Sequence, residues 1–378
     1  MQWSPQQDDA LRRVAAWIND RSAPQVFRLF GFAGTGKTTL AKHIAAGVKG
    51  PVVFGAFTGK AALVLRGKGC ADAKTIHSLI YRLDEENYGD PTFILNRDSE
   101  VAGADLVIID ECSMVGEELG RDLLSFGTKV LVLGDPAQLP PVNGEGFFTN
   151  QRPDFMLTEI HRQARDNPII AMSQVVREGG RLDVGDYGSS RVIRRSDVQT
   201  DEVLAADTIL VGKNATRRAY NRRVRKLLGR EFALVPEPGD KLVCLKNKRT
   251  KGLLNGGIWA ARDVKTSSGG KRNLRDALVF RMEIVPQDPG EDQRVVKALV
   301  ARAFFEGAER DMPWKERKRY DEFDFGYALT VHKAQGSQWP NVTVFDESAI
   351  FQEDRARHLY TAITRASERV TVVDLGGA

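Results

Sequence analysis

The feature that most constrains this chain is the octapeptide Gly31-Phe32-Ala33-Gly34-Thr35-Gly36-Lys37-Thr38, a GxxxxGK[ST] pattern. An apolar run at residues 26–30 leads directly into it, and a helix-forming stretch, residues 39–48, follows. In that strand-loop-helix setting the glycines let backbone N–H groups close around phosphate oxygens, and the helix N-terminus adds positive dipole. Lys37 reaches the outer phosphates and the Thr38 hydroxyl can ligate Mg²⁺. Gly34, Thr35, Gly36, Lys37, Thr38 and Thr39 are therefore the candidate cofactor-binding residues. An ordinary glycine-rich turn would lack the flanking elements.

Further apolar runs at residues 51–54, 106–109 and 130–133 alternate with helical patterns. Short apolar strands separated by helices predict an α/β core with a parallel sheet covered on both faces. The run at 106–109 ends in Asp110-Glu111, which places two carboxylates at the carboxyl edge of the sheet beside the glycine-rich loop. Phosphoryl transfer uses one such carboxylate to hold Mg²⁺ and a second to position or deprotonate the attacking water. Asp110 is assigned to the metal with Thr38, and Glu111 to the water. Without the preceding loop the same ending would read as a solvated strand end. The run at 130–133 leads into Gly134-Asp135-Pro136-Ala137-Gln138-Leu139-Pro140-Pro141. That string could be only a proline-stiffened turn, but it sets the neutral amide of Gln138 where it could sense a γ-phosphate.

At about 150 residues per domain, 378 residues suggest two or three domains. A composition of 42% hydrophobic and 28% charged residues suits a globular core. Lys and Arg number 55 against 50 Asp and Glu, and the resulting +5 is compatible with a polyanionic partner. Cys70, Cys112 and Cys244 are too few and scattered for a disulfide framework or a four-thiolate zinc site. The histidines show no ligand spacing, so a nuclease-type metal cluster is not expected. No run reaches the roughly 18 apolar residues of a membrane span, and the first ten residues do not resemble a secretory leader. A reduced, cytoplasmic protein is the expectation.

The second half begins with an apolar run at 208–211, followed by a stretch, 213–230, with basic residues and no acidic one. On a helix Arg218, Arg222, Arg225 and Lys226 would share a face suited to phosphate contact, although a solvated face is the other meaning of such a run. Lys213 and Asn214, at its start, are candidate nucleic-acid contacts. From residue 239 the texture changes, and strands are predicted at 241–245, 256–260, 277–285 and 294–303, a small antiparallel β unit. Buried-strand texture returns at 327–331, 341–345 and 369–373, so the second α/β domain is split in sequence. Thr330, His332 and Lys333 fall at a strand end, where loop residues meet ligands.

In the order of its motifs the chain resembles superfamily 1 helicases, particularly the RecD/Dda-like branch that moves 5′→3′ on single-stranded DNA. Trp3-Ser4-Pro5-Gln6-Gln7 resembles the Q motif, which implies that Gln7 contacts adenine. Phe57-Thr58-Gly59-Lys60-Ala61-Ala62 and Thr75-Ile76-His77 resemble motifs Ia and Ib, implying contact of Thr58, Lys60, Thr75 and His77 with the DNA backbone. Asp110-Glu111-Cys112-Ser113-Met114 resembles motif II, and the octapeptide carrying Gln138 resembles motif III and is the most discriminating string. Leu157-Thr158-Glu159-Ile160-His161-Arg162-Gln163 resembles motif IV. Ala328-Leu329-Thr330-Val331-His332-Lys333-Ala334-Gln335-Gly336-Ser337-Gln338 resembles motif V, and Leu359-Tyr360-Thr361-Ala362-Ile363-Thr364-Arg365-Ala366 resembles motif VI.

The resemblance implies two RecA-like domains with ATP and Mg²⁺ between them. Arg162 and Arg365 would reach the γ-phosphate from the second domain, Gly336 would join the cofactor set, and Thr330, His332 and Lys333 would contact DNA. The expected first domain spans residues 1–150, with a hairpin or wedge insertion at 80–104 in which 92–95 is one strand. The expected second domain comprises 151–245 and 319–378, interrupted by an SH3-like β insertion at 246–318. Gly239-Asp240-Lys241-Leu242-Val243 and Leu254-Asn255-Gly256-Gly257 resemble the entry to that insertion, with Gly257 where relatives tend to carry an acid. The activity implied is an ATP-dependent 5′→3′ DNA helicase or translocase, a nucleic-acid-stimulated ATP hydrolase serving replication, repair or recombination. The alternatives are an RNA-directed motor of the same superfamily and an ATP-gated nucleic-acid-binding module that does not unwind. The partners implied are single-stranded DNA and duplex junctions, with a single-strand-binding protein or other replication and recombination proteins as candidates. A monomer acting in a bacterial or virus-infected bacterial cell is expected.

Overall fold

A computed structural model describes residues 3–70, 72–83, 93–141, 144–160, 166–230, 234–266, 278–288 and 293–376. The chain divides into two compact units, Met1–Leu182 with Phe351–Thr364 and Asp183–Ile350 with Arg365–Ala378.

The first unit contains β1 (Val26–Gly31), β2 (Val52–Ala56), β3 (Lys74–Thr75), β4 (Tyr81–Leu83), β5 (Phe93–Leu95), β6 (Leu106–Asp110), β7 (Val130–Gly134) and β8 (Phe155–Leu157). Six of these form one sheet in the order β3-β2-β6-β7-β1-β8, and every neighbouring pair is parallel. Its helices are α1 (Pro5–Asn19), α2 (Lys37–Gly47), α3 (Gly59–Gly67), α4 (Ile76–Ile80), α5 (Glu117–Leu124) and α6 (Pro168–Arg177), joined by the later Arg355–Ile363 helix. The apolar runs of β6 and β7 are continuous because both faces are covered. Leu106, Ile108, Leu131 and Leu133 pack with Val14 and Trp17 of α1 and Leu40 and Ile44 of α2. The alternate residues Val107, Ile109, Val130 and Val132 pack with Ile76 and Ile80 of α4 and Leu123 of α5.

Two features extend this unit beyond the expected residues 1–150. β8 hydrogen-bonds along the other edge of β1, so a boundary at residue 150 falls inside the unit. The Arg355–Ile363 helix is held here by hydrogen bonds that join Tyr360 and Thr361 with the glycine-rich loop and the loop after β7. Within the expected hairpin, β4 and β5 pair antiparallel as a separate ribbon, while residues 84–92 lie outside those described.

The second unit holds β9 (Gly185–Tyr187), β10 (Ser190–Arg194), β11 (Thr208–Val211), β12 (Lys241–Cys244), β13 (Ile258–Thr266), β14 (Val279–Pro286), β15 (Val296–Ala301), β16 (Phe323–Phe325), β17 (Ala328–Thr330), β18 (Trp339–Phe345) and β19 (Ala366–Asp374). A six-stranded sheet has the order β17-β11-β18-β19-β10-β9, parallel except where β9 turns back on β10. A five-stranded antiparallel sheet, β15-β14-β13-β12-β16, supplies the inserted β unit. Its core is aromatic, with Trp259, Phe280, Phe304, Phe323 and Phe325 buried together. The sheet includes β12 and β16, which pair with each other at Leu242 and Phe325, and so reaches beyond the expected 246–318 at both ends.

The basic stretch forms the Asn214–Leu227 helix, but its charges do not share one face. Arg225 points inward with Asn221 and Val224 and is 1% exposed. Its guanidinium donates to Asp240 Oδ1 and Oδ2 at 3.0 Å each, donates to the Val235 carbonyl at 2.6 Å, and lies 4.2 Å from the centre of the Phe325 ring. Arg217 likewise pairs with Asp324 at 2.7 Å. Arg222, Arg223 and Lys226 are the exposed charges of the helix. Burying a guanidinium requires compensating acceptors, which Asp240 and the Val235 carbonyl provide.

Candidate functional site

The site of the first unit is organised by where α1 and α2 begin. Ser4 caps α1 with its hydroxyl accepting from Gln7 N–H, Pro5 occupies the first turn, and the Gln7 side chain accepts from Ser4 N–H at 3.1 Å in a reciprocal capping box. The other end of the Gln7 amide donates to the Thr35 carbonyl at 3.1 Å. Gln7 thereby ties the first helix to the glycine-rich loop. That loop turns through Gly34 and Gly36, at φ 79° and 82°, a left-handed conformation that only glycine adopts without strain. A Cβ on Gly36 would also meet Gln7 Nε2 at 2.9 Å.

Lys37 opens α2 and folds its ammonium back over the loop, donating to the carbonyls of Gly31 at 2.6 Å and Phe32 at 3.0 Å. Thr38 Oγ1 donates to Asp110 Oδ2 at 2.9 Å, which brings the loop onto the end of β6. Burial raises the Asp110 carboxyl above its ordinary range and the nearby Glu111 carboxylate raises it further, while Lys37 opposes both. Glu111 sits at φ 54°, ψ 47°, a strained conformation for a residue with a Cβ. Its N–H donates to Asp110 Oδ1 at 2.9 Å. Thr39 lies in the first turn of α2.

After β7, Asp135 is buried and accepts from Ala137 N–H at 3.0 Å. Gln138 is 8% exposed, and its Oε1 has no hydrogen-bond partner among the described residues. An acceptor left short of a donor in a buried place is costly. Arg162 lies outside the described residues, with the rest of 161–165.

The expected nucleic-acid residues of this unit occupy helix starts. Thr58 caps α3 and Thr75 caps α4, their hydroxyls accepting from Ala61 and Ser78 N–H at 3.1 Å each. Lys60 is buried in the first turn of α3. His77 is exposed and packs against Tyr81 and Phe93, its ring centroid 4.7 and 4.5 Å from theirs. Phe93 is 50% exposed. The resulting aromatic cluster at the base of the β4–β5 ribbon presents stackable surface.

In the second unit, Thr330 caps the Val331–Ala334 turn, accepting from Lys333 N–H at 3.3 Å. The Lys333 ammonium donates to Asn255 Oδ1 of the β insertion, and burial lowers its pKa. His332 is partly exposed in the same turn, and Gly336 follows at φ 74°. Arg365 is buried and donates to the Ser337 carbonyl at 3.2 Å. Lys213 is exposed at the start of the basic helix, 3.4 Å from Glu347 Oε1, and Asn214 is exposed beside it. Glu347 also accepts from the N–H groups of Gly212 and Lys213 at 2.9 Å each.

Sequence reasoning singled out neither Gln6 nor Arg177 nor Tyr360. Gln6 reaches from α1 to the Met156 carbonyl at 3.2 Å and Thr158 Oγ1 at 3.0 Å, and accepts from the N–H groups of Thr158 and Glu159. Beside Thr158 and Glu159 is an open pocket of about 420 Å³ whose wall includes Ile160, Ile170, Ala171 and Gln174. Arg177, at the end of α6, lies 3.6 Å from the centre of the Phe32 ring in the glycine-rich loop. Gln6 and Tyr360 lie inside the strings that resemble the Q motif and motif VI, but the partner of each is a loop distant in sequence, as is that of Arg177. Among the described residues no group of three or more His, Cys, Asp or Glu could hold a metal on its own. No described helix is long and apolar enough to cross a membrane.

A parallel α/β sheet with a GxxxxGKT loop running into a helix, and with the threonine joined to an aspartate at the end of a neighbouring strand, defines a P-loop nucleotide-binding protein. The AAA domain family model matches residues 2–197, and the UvrD-like helicase C-terminal domain model matches 325–373. The ATP-dependent RecD2 DNA helicase of Deinococcus radiodurans is 29% identical over 94% of this chain and 48% of its own length. The chain thus spans about half or less of the first curated relatives it matches. In fold it is similar to a Pif1 helicase solved in a study of unwinding at forked double-stranded DNA, with a TM-score of 0.58 and 19% identity over 98% of this chain and 92% of that one. A Pif1 helicase from Bacteroides in complex with ADP-AlF3 and single-stranded DNA has a TM-score of 0.56, at 18% identity over 100% and 94% of the two chains. The chain belongs to the AAA domain family, and its similarities are to helicases of the RecD2 and Pif1 kinds.

Proposed function

We propose that this chain is an ATP-driven motor that moves 5′→3′ on single-stranded DNA and separates duplex ahead of it. The observation that carries the reading is the Thr38–Asp110 hydrogen bond beneath the glycine-rich loop, with Lys37 on the loop's carbonyls beside it. In this reading Lys37 leaves those carbonyls for the outer phosphates of ATP, and the backbone N–H groups of residues 34–39 hold the rest of the phosphate chain. Thr38 and Asp110 offer two hard oxygens, the donor type that Mg²⁺ takes beside nucleotide phosphates. Bound there, Mg²⁺ would neutralise charge on the phosphates during transfer. Glu111 orients the attacking water, and Gln138 offers its unpartnered amide oxygen to that water. Arg162 and Arg365 supply the transition-state charge, and Gly336 joins the cofactor set. Gln7, Gln6 and the pocket beside Thr158 and Glu159 lie on the adenine side.

Thr58, Lys60, Thr75, Thr330, His332 and Lys333, with Lys213 and Asn214, hold the DNA strand. His77 and its aromatic neighbours Tyr81 and Phe93 offer base stacking, which tolerates any sequence because every base has a π-face. The similarity to helicases solved with single-stranded and forked DNA supports this substrate over RNA. In this reading the domain boundaries are taken near residues 182, 350 and 364, where the compact units divide, and hydrolysis is coupled to conformational change.

Strand displacement with ATP on two matched duplexes, one with a 5′ and one with a 3′ single-stranded DNA tail, tests the proposal. Displacement from the 5′-tailed duplex alone is expected. Displacement from the 3′ tail overturns the polarity, and ATP turnover without displacement from either reduces the protein to a translocase.

A further inference from the structure

Tyr360 is fully buried in the Arg355–Ile363 helix, and its hydroxyl is used twice. It accepts from Ala33 N–H of the glycine-rich loop at 2.9 Å and donates to Asp135 Oδ2 at 2.6 Å. Asp135 opens the loop that carries Gln138: its second oxygen accepts from Ala137 N–H at 3.0 Å, and its carbonyl accepts from Gln138 N–H at 3.1 Å. One residue along the helix, Thr361 Oγ1 accepts from Leu139 N–H at 2.9 Å. The residues on both sides of Gln138 are thus tied, directly or through Asp135, to a single helix turn. The adjoining residue of the glycine-rich loop, Phe32, is covered by Arg177 of α6.

Packing alone would favour phenylalanine at 360, which fills nearly the same space without burying a hydroxyl or requiring a buried carboxylate opposite. Burial raises both the Tyr360 hydroxyl and the Asp135 carboxyl above their ordinary values, so each is held in the interior at a cost. The arrangement makes sense if the spacing between the two loops matters. We propose that Tyr360 is a positioning residue for ATP hydrolysis, whose hydroxyl sets the distance between the phosphate-binding loop and the Gln138 loop. The helix ends at Ile363, and Arg365 follows two residues later in the sequence. This inference rests on the ATPase reading above.

The test compares wild type, Tyr360→Phe, Asp135→Asn and the double variant in ATP hydrolysis stimulated by single-stranded DNA, with a fluorescent ATP analogue reporting nucleotide affinity and stoichiometry. A hydrogen bond to a carboxylate sets the expected size, a fall in kcat of about tenfold for Tyr360→Phe. The KM for ATP and the analogue's affinity should stay within about twofold, because the hydroxyl acts on loop spacing rather than on the bound nucleotide. The double variant should be no slower than the slower single one, since both substitutions break one bridge. Wild-type kcat in Tyr360→Phe overturns the inference, as does a loss of kcat matched by an equal loss of binding stoichiometry. If Tyr360→Phe does not fold, Asp135→Asn alone carries the same expectation and the same overturning result. A wild-type protein without turnover overturns both this inference and the function it rests on, whereas an active wild type with an unaffected Tyr360→Phe overturns this inference only.

Discussion

The two compact units treat buried polar groups in opposite ways. In the second unit the deeply buried ions close on partners: Arg225 on Asp240, Asp321 on Lys248 and Lys251, and Asp324 on Arg217. In the first, Asp135 closes on Tyr360, but other groups around the glycine-rich loop do not pair off. Lys37 rests on two backbone carbonyls, the Asp110 and Glu111 carboxylates repel each other, and the buried Gln138 oxygen has no partner among the described residues. Ion pairs that complete themselves maintain a fold, and removing one partner is destabilising. Polar groups left short of partners cost folding free energy, and their clustering marks a place where a ligand completes them.

Removing one charge from each unit should affect chemistry in the first and stability in the second. Lys37→Ala should lower DNA-stimulated ATP turnover by at least about 10²-fold, the effect of removing one transition-state donor, while the melting temperature changes little. Phosphate release and a thermal melt on the same preparation would show it, and retained turnover would sink the assignment of the loop. Arg225→Ala should do the reverse. It leaves the buried Asp240 carboxylate with the Tyr327 hydroxyl, the Glu237 N–H and the more distant Arg230 guanidinium at 3.7 Å, and should cost up to about 3–5 kcal/mol in urea unfolding. Replacing both partners by apolar residues, Arg225→Met with Asp240→Leu, should recover only part of that loss, because the Tyr327 hydroxyl and the Glu237 N–H also lose their acceptor. A cost below about 1 kcal/mol for Arg225→Ala would place that pair outside the structural class.

Asp321 refines the comparison through pH. Burial would raise its carboxyl, but hydrogen bonds from Lys248 and Lys251 outweigh burial and hold it below its ordinary value. A carboxyl lower in the folded than in the unfolded chain contributes stability that is complete above the unfolded value of 3.8 and is lost as pH falls through the folded one. Asp321→Asn should therefore cost about 1–3 kcal/mol near neutral pH. The difference from wild type should shrink below pH 3.8, and denaturant unfolding at several pH values measures it. The smallest effect belongs to Ser4→Ala, which removes the cap of α1 and should cost about 1 kcal/mol. It should leave ATP turnover nearly unchanged, because Gln7 keeps its hydrogen bond to the Thr35 carbonyl. A large loss of turnover would mean that the capping box itself positions the glycine-rich loop.

The phosphate-binding segment was legible because its signal is local: glycines at turn positions, a lysine and a threonine at fixed offsets, and apolar runs before and after. The four strands expected around it, at 26–30, 51–54, 106–109 and 130–133, all form, since a strand buried on both faces must be apolar throughout. The extent of the inserted β unit was harder to read. β16 is three residues long, separated from β12 by some eighty, and only its pairing of Phe325 with Leu242 shows to which sheet it belongs. The basic helix misled for a similar reason. Spacing shows which residues can share a face but not where that face is turned, and Asp240 and Val235 draw Arg225 inward from outside the helix.

By itself, the sequence determined the α/β class, the phosphate-binding loop and the candidate set from Lys37 to Gln138, because each depends on a residue type at a short, fixed distance from the next. Which polar residues find partners within the fold was set by the tertiary structure. Gln7 on Thr35, Tyr360 between Ala33 and Asp135, and Arg225 on Asp240 are pairings across 28, 327, 225 and 15 residues. A buried polar group takes whichever partner the packing of the core brings within about 3 Å, and that partner has no fixed offset along the chain.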